Sequence, residues 1–369
     1  MNGKKTIFIG ITGIVIALVI LAVILLLSQL SSVPITNNST VSNPVSDANN
    51  VNIIDLNNPK GGAFEYAVIR PDDTIELRNK LNEKFIIGLE KRSWRSLKWS
   101  PDGKLVAALG KSNGSIYDIY IYNLAKKEWT TATDFRNFNT GVDQFNWVEN
   151  NTILFTQGEN PTRWIHRFNY VSKEILKVAN ITGNFVSQSP DLKYTVVKAE
   201  GNVPEIYNTN GEKQDFPLGT MTDAETLNPI ALEELKFFSN SQKVIAKDTF
   251  GDYYKFNLGD STAVKTTINP AYKLACSLTE NSFNGFFSTS NVLSYGTYSS
   301  KDNIFNILGE EAFKLAFTID ENLSYCTNGS VYLKLLFADG STQWYKENAT
   351  TIEADAILDG NIETDIIKK

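Results

Sequence analysis

A step of about 45 residues that recurs along the chain, short β-branched and aromatic runs, and a near absence of helical periodicity predict an all-β fold. The class expected is a β-propeller, seven four-stranded blades in a ring, preceded by a single transmembrane helix. The chain has 369 residues, of which 42% are hydrophobic, with 21 Phe, 15 Tyr and 6 Trp, enough apolar material for a sizeable core.

The first element is apolar. Residues 7–27, "IFIGITGIVIALVILAVILLL", run for 21 residues without a charge, or roughly 32 Å of helix at about 1.5 Å per residue. A cleaved signal would have an apolar region of about 7 to 15 residues and a small-residue cleavage site. An uncleaved anchor over residues 6–30 is therefore expected. Lys4 and Lys5 precede it and nothing basic follows until Lys60, so the positive-inside rule leaves residues 1–5 in the cytoplasm. The expected location is the cell membrane, single-pass, with the remainder on the extracytoplasmic side. Residues 31–50, "SSVPITNNSTVSNPVSDANN", lack aromatics and read as a flexible stalk.

Setting the two anchor lysines aside leaves 33 basic residues against 41 acidic ones, a net charge near −8 for the outer part. Such a field argues against nucleic acid as a partner.

The ring is read from residues 51–358. Placing Trp99 of "LKWSPDGKLVAALG" over later segments aligns it with Trp147, Gln188, Phe238, Cys276 and Cys326, in steps of 48, 41, 50, 38 and 50 residues. One four-stranded propeller blade needs about 40 to 50 residues. Upstream, residues 51–89 offer the same strand order, with Leu56 lying 43 residues before Trp99. A count of six follows instead if this region only supplements another blade, or if "TIEADAILDGNIETDII" closes the ring. Residues 359–369 are accordingly a tail or the closure. One helix is expected, in "DAETLNPIALEELK", residues 223–236, interrupted by Pro229. A β-sandwich explains the strands but not the recurrent step.

"WSPDGKLVAA" followed by "DIYIYNL" resembles the WD40-like repeat of the TolB-like propellers, with a partial copy at "SPDLKY". The resemblance implies an envelope-facing propeller that binds other proteins or surface polymers, although some relatives couple the ring to a peptidase. The turn has its own mechanics: Pro101 presets φ, Asp102 bonds the backbone ahead of it, and Gly103 accepts positive φ. Asp102 is thus expected to be structural.

Chemistry is sparse. The single histidine, His166 in "RWIHRF", alternates with Trp164 and Phe168 on a third strand, and no G-x-S-x-G elbow accompanies it. A structural or surface role is expected for it. One His and two Cys without close spacing do not make a usual zinc site. No phosphate-cradling glycine loop or dinucleotide motif is present, so no metal and no cofactor is expected. Cys276 and Cys326 fall on equivalent points of converging inner strands. A disulfide between them is expected, with two buried free thiols as the alternative.

Function is expected on one rim, where second-to-third strand loops and blade-to-blade links gather. Residues 134–144, 158–164, 223–236 and 288–303 are read as its long connections. Phe135, Arg136, Phe138, Arg163, Trp164, Tyr295 and Tyr298 are the binding candidates, because Arg and large aromatics anchor interfaces. The leading expectation is a non-enzymatic membrane-anchored scaffold for an envelope protein or surface polymer. The alternatives are a glycan-active hydrolase or lyase with carboxylates paired across a cleft, and a structural spacer.

Overall fold

Strands enter in the order in which apolar alternation appears. In the computed structural model the described residues are 62–87, 92–111, 116–135, 139–159, 163–198, 202–327, 330–347, 352–355, 358 and 363–366. The described residues all fall within one compact unit, Asn52–Lys369. The anchor and stalk expected over residues 6–50 lie outside the described residues, among which no helix is long and apolar enough to cross a membrane.

The first blade holds β1 (Tyr66–Ile69), β2 (Ile75–Arg78) and β3 (Lys84–Ile86). The second runs β4 (Trp94–Trp99), β5 (Leu105–Lys111), β6 (Tyr117–Asn123) and β7 (Glu128–Thr131). The third runs β8 (Val142–Glu149), β9 (Thr152–Gln157), β10 (Arg163–Asn169) and β11 (Ile175–Ile181). The fourth has β12 (Asn184–Gln188), β13 (Tyr194–Lys198) and β14 (Glu205–Asn208). The fifth has β15 (Thr222–Asp223), β16 (Leu232–Phe237), β17 (Lys243–Asp248), β18 (Tyr253–Asn257) and β19 (Thr262–Lys265). The sixth runs β20 (Lys273–Thr279), β21 (Ser282–Ser288), β22 (Val292–Ser299) and β23 (Ile304–Ala312). The seventh runs β24 (Phe317–Thr327), β25 (Ser330–Phe337), β26 (Thr342–Glu347) and β27 (Ile352–Ala354), and β28 (Glu363–Ile366) follows.

These strands form seven sheets, five of four strands, one of three and one of five. The chain is a seven-bladed β-propeller. First strands of neighbouring blades lie against one another, β4 beside β8, β8 beside β12, β12 beside β16, β20 beside β24. The ring closes through β28, which lies beside both β24 and β4 and pairs antiparallel with β1, Tyr66 opposite Ile366 and Ile69 opposite Glu363. The first blade therefore takes its innermost strand from the C-terminus. The alternative reading of the C-terminal segment as the closure is correct, and it accompanies seven blades rather than six.

The repeat step has a physical counterpart in hydrogen bonds between blades. Lys98 Nζ donates to Asn146 Oδ1 at 2.6 Å, Gln188 Nε2 to the Trp147 carbonyl at 2.6 Å, and Ser187 Oγ to the Leu235 carbonyl at 2.7 Å. Lys236 Nζ reaches the Leu274 carbonyl. Their sequence separations of 48, 41, 48 and 38 track the steps read from the chain. The inner strands of the second to sixth blades are thus tied one to the next.

Inner strands share a second feature. One face of the inner strand carries buried Trp94, Leu97 and Trp99 in β4, Val142, Phe145 and Trp147 in β8, and Leu232, Leu235 and Phe237 in β16. The spacing of three and then two arises from a bulge, which breaks register between Arg95 and Lys98, Val142 and Gln144, and Leu232 and Glu234. A bulge inserts one residue and so turns two successive apolar side chains, three apart, to one face.

That bulge also explains the failure of the expected helix over residues 223–236. Leu232 and Leu235, three apart, imitate a helical face, yet they belong to β16. Before it, Asp223 Oδ1 accepts the backbone N–H of Glu225 at 2.9 Å and of Thr226 at 2.8 Å, and Leu227 takes φ 59°. Asn228 precedes Pro229 and is steered away from the α region. The segment is a turn followed by a strand. The fourth blade departs from four strands for a related reason: beyond β14 a single bridge, Tyr207 to Lys213, stands in the fourth place, and Pro217 follows.

The Ser-Pro-Asp-Gly turn is as its residues require. Ser100 Oγ donates to Asp102 Oδ1 at 2.9 Å and accepts the Leu105 N–H at 2.9 Å, while Gly103 sits at φ 67°. The copy repeats this with Ser189 and Asp191 at 2.8 Å, and Leu192 adopts φ 64° where the first turn has glycine. Burial pushes the Asp102 carboxyl up, but the bonds from Ser100 and Lys104 outweigh it and hold it below the usual carboxylate range. Its duty is the turn.

Candidate interaction rim

First and third strands of each blade start at one rim, here called the loop rim; the Ser-Pro-Asp turns occupy the other. At the start of β4, the Arg95 guanidinium lies 3.9 Å from the ring centre of Tyr117, at the start of β6. Its Nη2 donates to the Asp143 carbonyl at 3.3 Å and stands 3.8 Å from the Asp143 carboxylate. Arg163, at the start of β10, approaches the other carboxylate oxygen at 3.3 Å, and it also bonds the Gly183 carbonyl at 3.3 Å and the Asn184 side chain. Two guanidiniums from two blades thus share one carboxylate, and Arg163 extends the link to a third blade. Lys111 Nζ lies 4.8 Å from the Tyr117 ring centre, and Lys177 Nζ 3.4 Å from that of Trp164. Both distances suit a cation–π contact.

Of the binding candidates, Arg163 and Trp164 belong to this cluster. Phe135 does not: it is buried, tilted against Phe155 at 6.1 Å, and its N–H is bonded by Asp118 Oδ1. Arg136 and Phe138 lie outside the described residues. Tyr295 and Tyr298 are not rim residues, because residues 288–303 form no long loop. Most of the segment is β22, which is covered on both faces, so that Tyr295 is buried in one core cluster and Tyr298 in another, and the Tyr298 hydroxyl donates to Asn303 Oδ1 at 2.8 Å. Burial pushes the Tyr298 phenol upward. Glycine at 296 permits this hairpin, since a Cβ there would meet the Asn306 carbonyl at 2.4 Å.

Sequence reading missed Arg95, Lys111, Tyr117, Asp143, Lys177 and Asn184. The signal available was positional: Arg95 and Asp143 each fall in the solvent-facing gap between the first two buried residues of a bulged inner strand.

His166 is buried and stacked on Phe155, ring centres 5.0 Å apart and planes within 11°, and its Nδ1 has no hydrogen-bond partner. Burial first, and the charge of Lys177 second, push its pKa from 6.5 down to about 4. The folded protein holds this imidazole neutral where the unfolded chain protonates it, so stability falls as pH drops from 6.5 to 4. His166→Phe, which keeps the stack, should flatten that decline. Urea midpoints at pH 7 and pH 4.5 test it, and an identical pH slope in the two proteins would refute the assignment.

Among the described residues no three His, Cys, Asp or Glu side chains group as a metal site. Cys276 lies on β20 and Cys326 on β24, innermost strands of neighbouring blades, as the alignment requires. Their side chains lie outside the described residues, and so does the expected bond.

No family model matches the chain, and no curated protein does. Solved structures do. A putative 6-phosphogluconolactonase from Bacteroides uniformis is 12% identical over 83% of this chain and the whole of that one, with a TM-score of 0.52. TolB from Acinetobacter baumannii is 15% identical over 70% of this chain and 66% of that one, TM-score 0.40. A prolyl endopeptidase is 11% identical over 74% of this chain, which spans 42% of that protein, TM-score 0.49. At these identities the likeness is one of fold.

Proposed function

We propose that the chain is a non-catalytic, membrane-anchored β-propeller that exposes its loop rim on the extracytoplasmic side to capture an envelope protein or surface polymer. One observation carries this reading. Arg95, Tyr117, Asp143 and Arg163 join the ends of neighbouring blades into one polar and aromatic surface on the loop rim. Residues 7–27 supply the apolar span and Lys4 and Lys5 its orientation. A rigid ring suits the role, since loops on a fixed scaffold hold a binding geometry at little entropic cost.

Crosslinked pull-down from intact cells, with the anchor and stalk lacking the ring as control, should recover a partner only with the ring. Equal recovery by both would overturn the scaffold reading.

A further inference from the structure

Two ammonium groups meet at one buried serine between the fifth and sixth blades. Lys243 at the start of β17 and Lys255 on β18 lie on the strand face that carries Ile245 and Tyr253 into the core shared with the sixth blade. Lys243 Nζ donates to Asn281 Oδ1 at 2.8 Å and to Ser300 Oγ at 3.5 Å, and Lys255 Nζ donates to the Ser300 carbonyl at 2.6 Å. Ser300 is buried and both lysines are half-buried. All three acceptors are neutral. Of the carboxylates on the surrounding turns, Asp260 holds Asn257, Glu280 holds Asn281 and Asp302 holds Ser299. Among the described residues neither lysine has an ion-pair partner. Burial first, and the charge of Lys243 second, push the Lys255 ammonium below its ordinary value, with no carboxylate to offset them. Like charges drawn together in a half-buried cleft cost free energy that an anion between them removes.

We infer that Lys243, Lys255 and Ser300 bind a small tetrahedral oxyanion, inorganic phosphate or the phosphate group of a soluble phosphomonoester, at the rim opposite the loop rim. An ammonium carries three N–H donors, so each lysine has donors left for a ligand beyond those it gives to Asn281 and Ser300. Two point charges on either side of Ser300 suit a multiply charged oxyanion whose oxygens point several ways. A single carboxylate matches better the planar fork of a guanidinium, and no arginine contributes here. The half-buried position between blades favours a compact ligand over a polymer. This site is separate from the loop rim and does not depend on what that rim binds.

The test uses the full chain in nonionic detergent micelles, acetylated with N-hydroxysuccinimidyl acetate in phosphate or in chloride of equal ionic strength, and read residue by residue by mass spectrometry. A bound phosphate holds both amines protonated and covered. Acetylation of Lys243 and Lys255 should therefore fall several-fold in phosphate, while that of Lys247 on the same strand stays unchanged. Protection should saturate with inorganic phosphate or with glycerol phosphate, and the one that saturates at lower concentration names the source. Lys255→Gln should raise the phosphate concentration that half-protects Lys243 by about tenfold, through loss of one charged hydrogen bond. A thermal midpoint in chloride matching the wild type establishes that this variant is folded, and the wild-type pattern stands as a test without it. Equal acetylation of Lys243 and Lys255 in phosphate and chloride overturns the proposal. Protection that never saturates, or that extends equally to Lys247, shows an adventitious ion only and overturns it too.

Discussion

Truncation after residue 358 should remove the cooperative unfolding transition of the ring. The deleted segment contains β28, which supplies the innermost strand of the first blade and pairs with β1 over four residues. Tyr66, Ala67, Val68 and Ile69 of β1 are all buried. Without β28 the edge of β1 stands open and part of that apolar surface meets water. Fully burying one Val or Ile is worth roughly 1.5–3 kcal/mol, so the loss sums to several kcal/mol before the unpaired strand edge is counted. Urea unfolding followed by circular dichroism reads the effect, and a synthetic peptide of residues 359–369 should restore part of the transition. A truncated protein with an unchanged midpoint would refute closure by this strand.

Trp344→Ala should cost about 3–5 kcal/mol, the usual range for emptying a large buried aromatic site. Trp344 on β26 is fully buried and clusters with Tyr66, Val68, Tyr332 and Leu358. This cluster is the seam between the last blade and the first. The Tyr66 and Tyr332 hydroxyls are bonded there at 3.3 Å, with ring centres 6.4 Å apart and nearly perpendicular. The seam depends on side-chain packing and on β28, whereas β4 to β24 follow one another along continuous chain. Trp164→Ala, at the half-buried rim, should cost far less. Chemical denaturation of both variants decides the matter, and similar losses would show that the seam carries no special share of the packing.

Much of the fold was legible because a propeller repeats its own boundary conditions. Trp99, Trp147 and Gln188 mark equivalent inner-strand positions, and cross-blade bonds recur at nearly the same spacing. The misreadings have physical causes. A bulged strand places Leu232 and Leu235 three apart, which one-dimensional periodicity reads as helix. Tyr295 and Tyr298 lie among Ser and Gly, whose composition suggests a loop, but hairpin pairing with β21 and β23 buries them. The rim cluster was half legible: Arg163 and Trp164 stand out by residue type, whereas Asp143 acquires its role only by lying between two arginines 68 positions apart in sequence.

The sequence by itself determined the all-β class, the blade length and the turn chemistry of Ser100 to Gly103, because these depend on residues close together along the chain. The tertiary structure alone decided that residues 363–366 complete the first blade, that Trp344 seals the seam, and that Arg95, Asp143 and Arg163 meet. Such contacts join distant segments, and their geometry is set by closure of the ring.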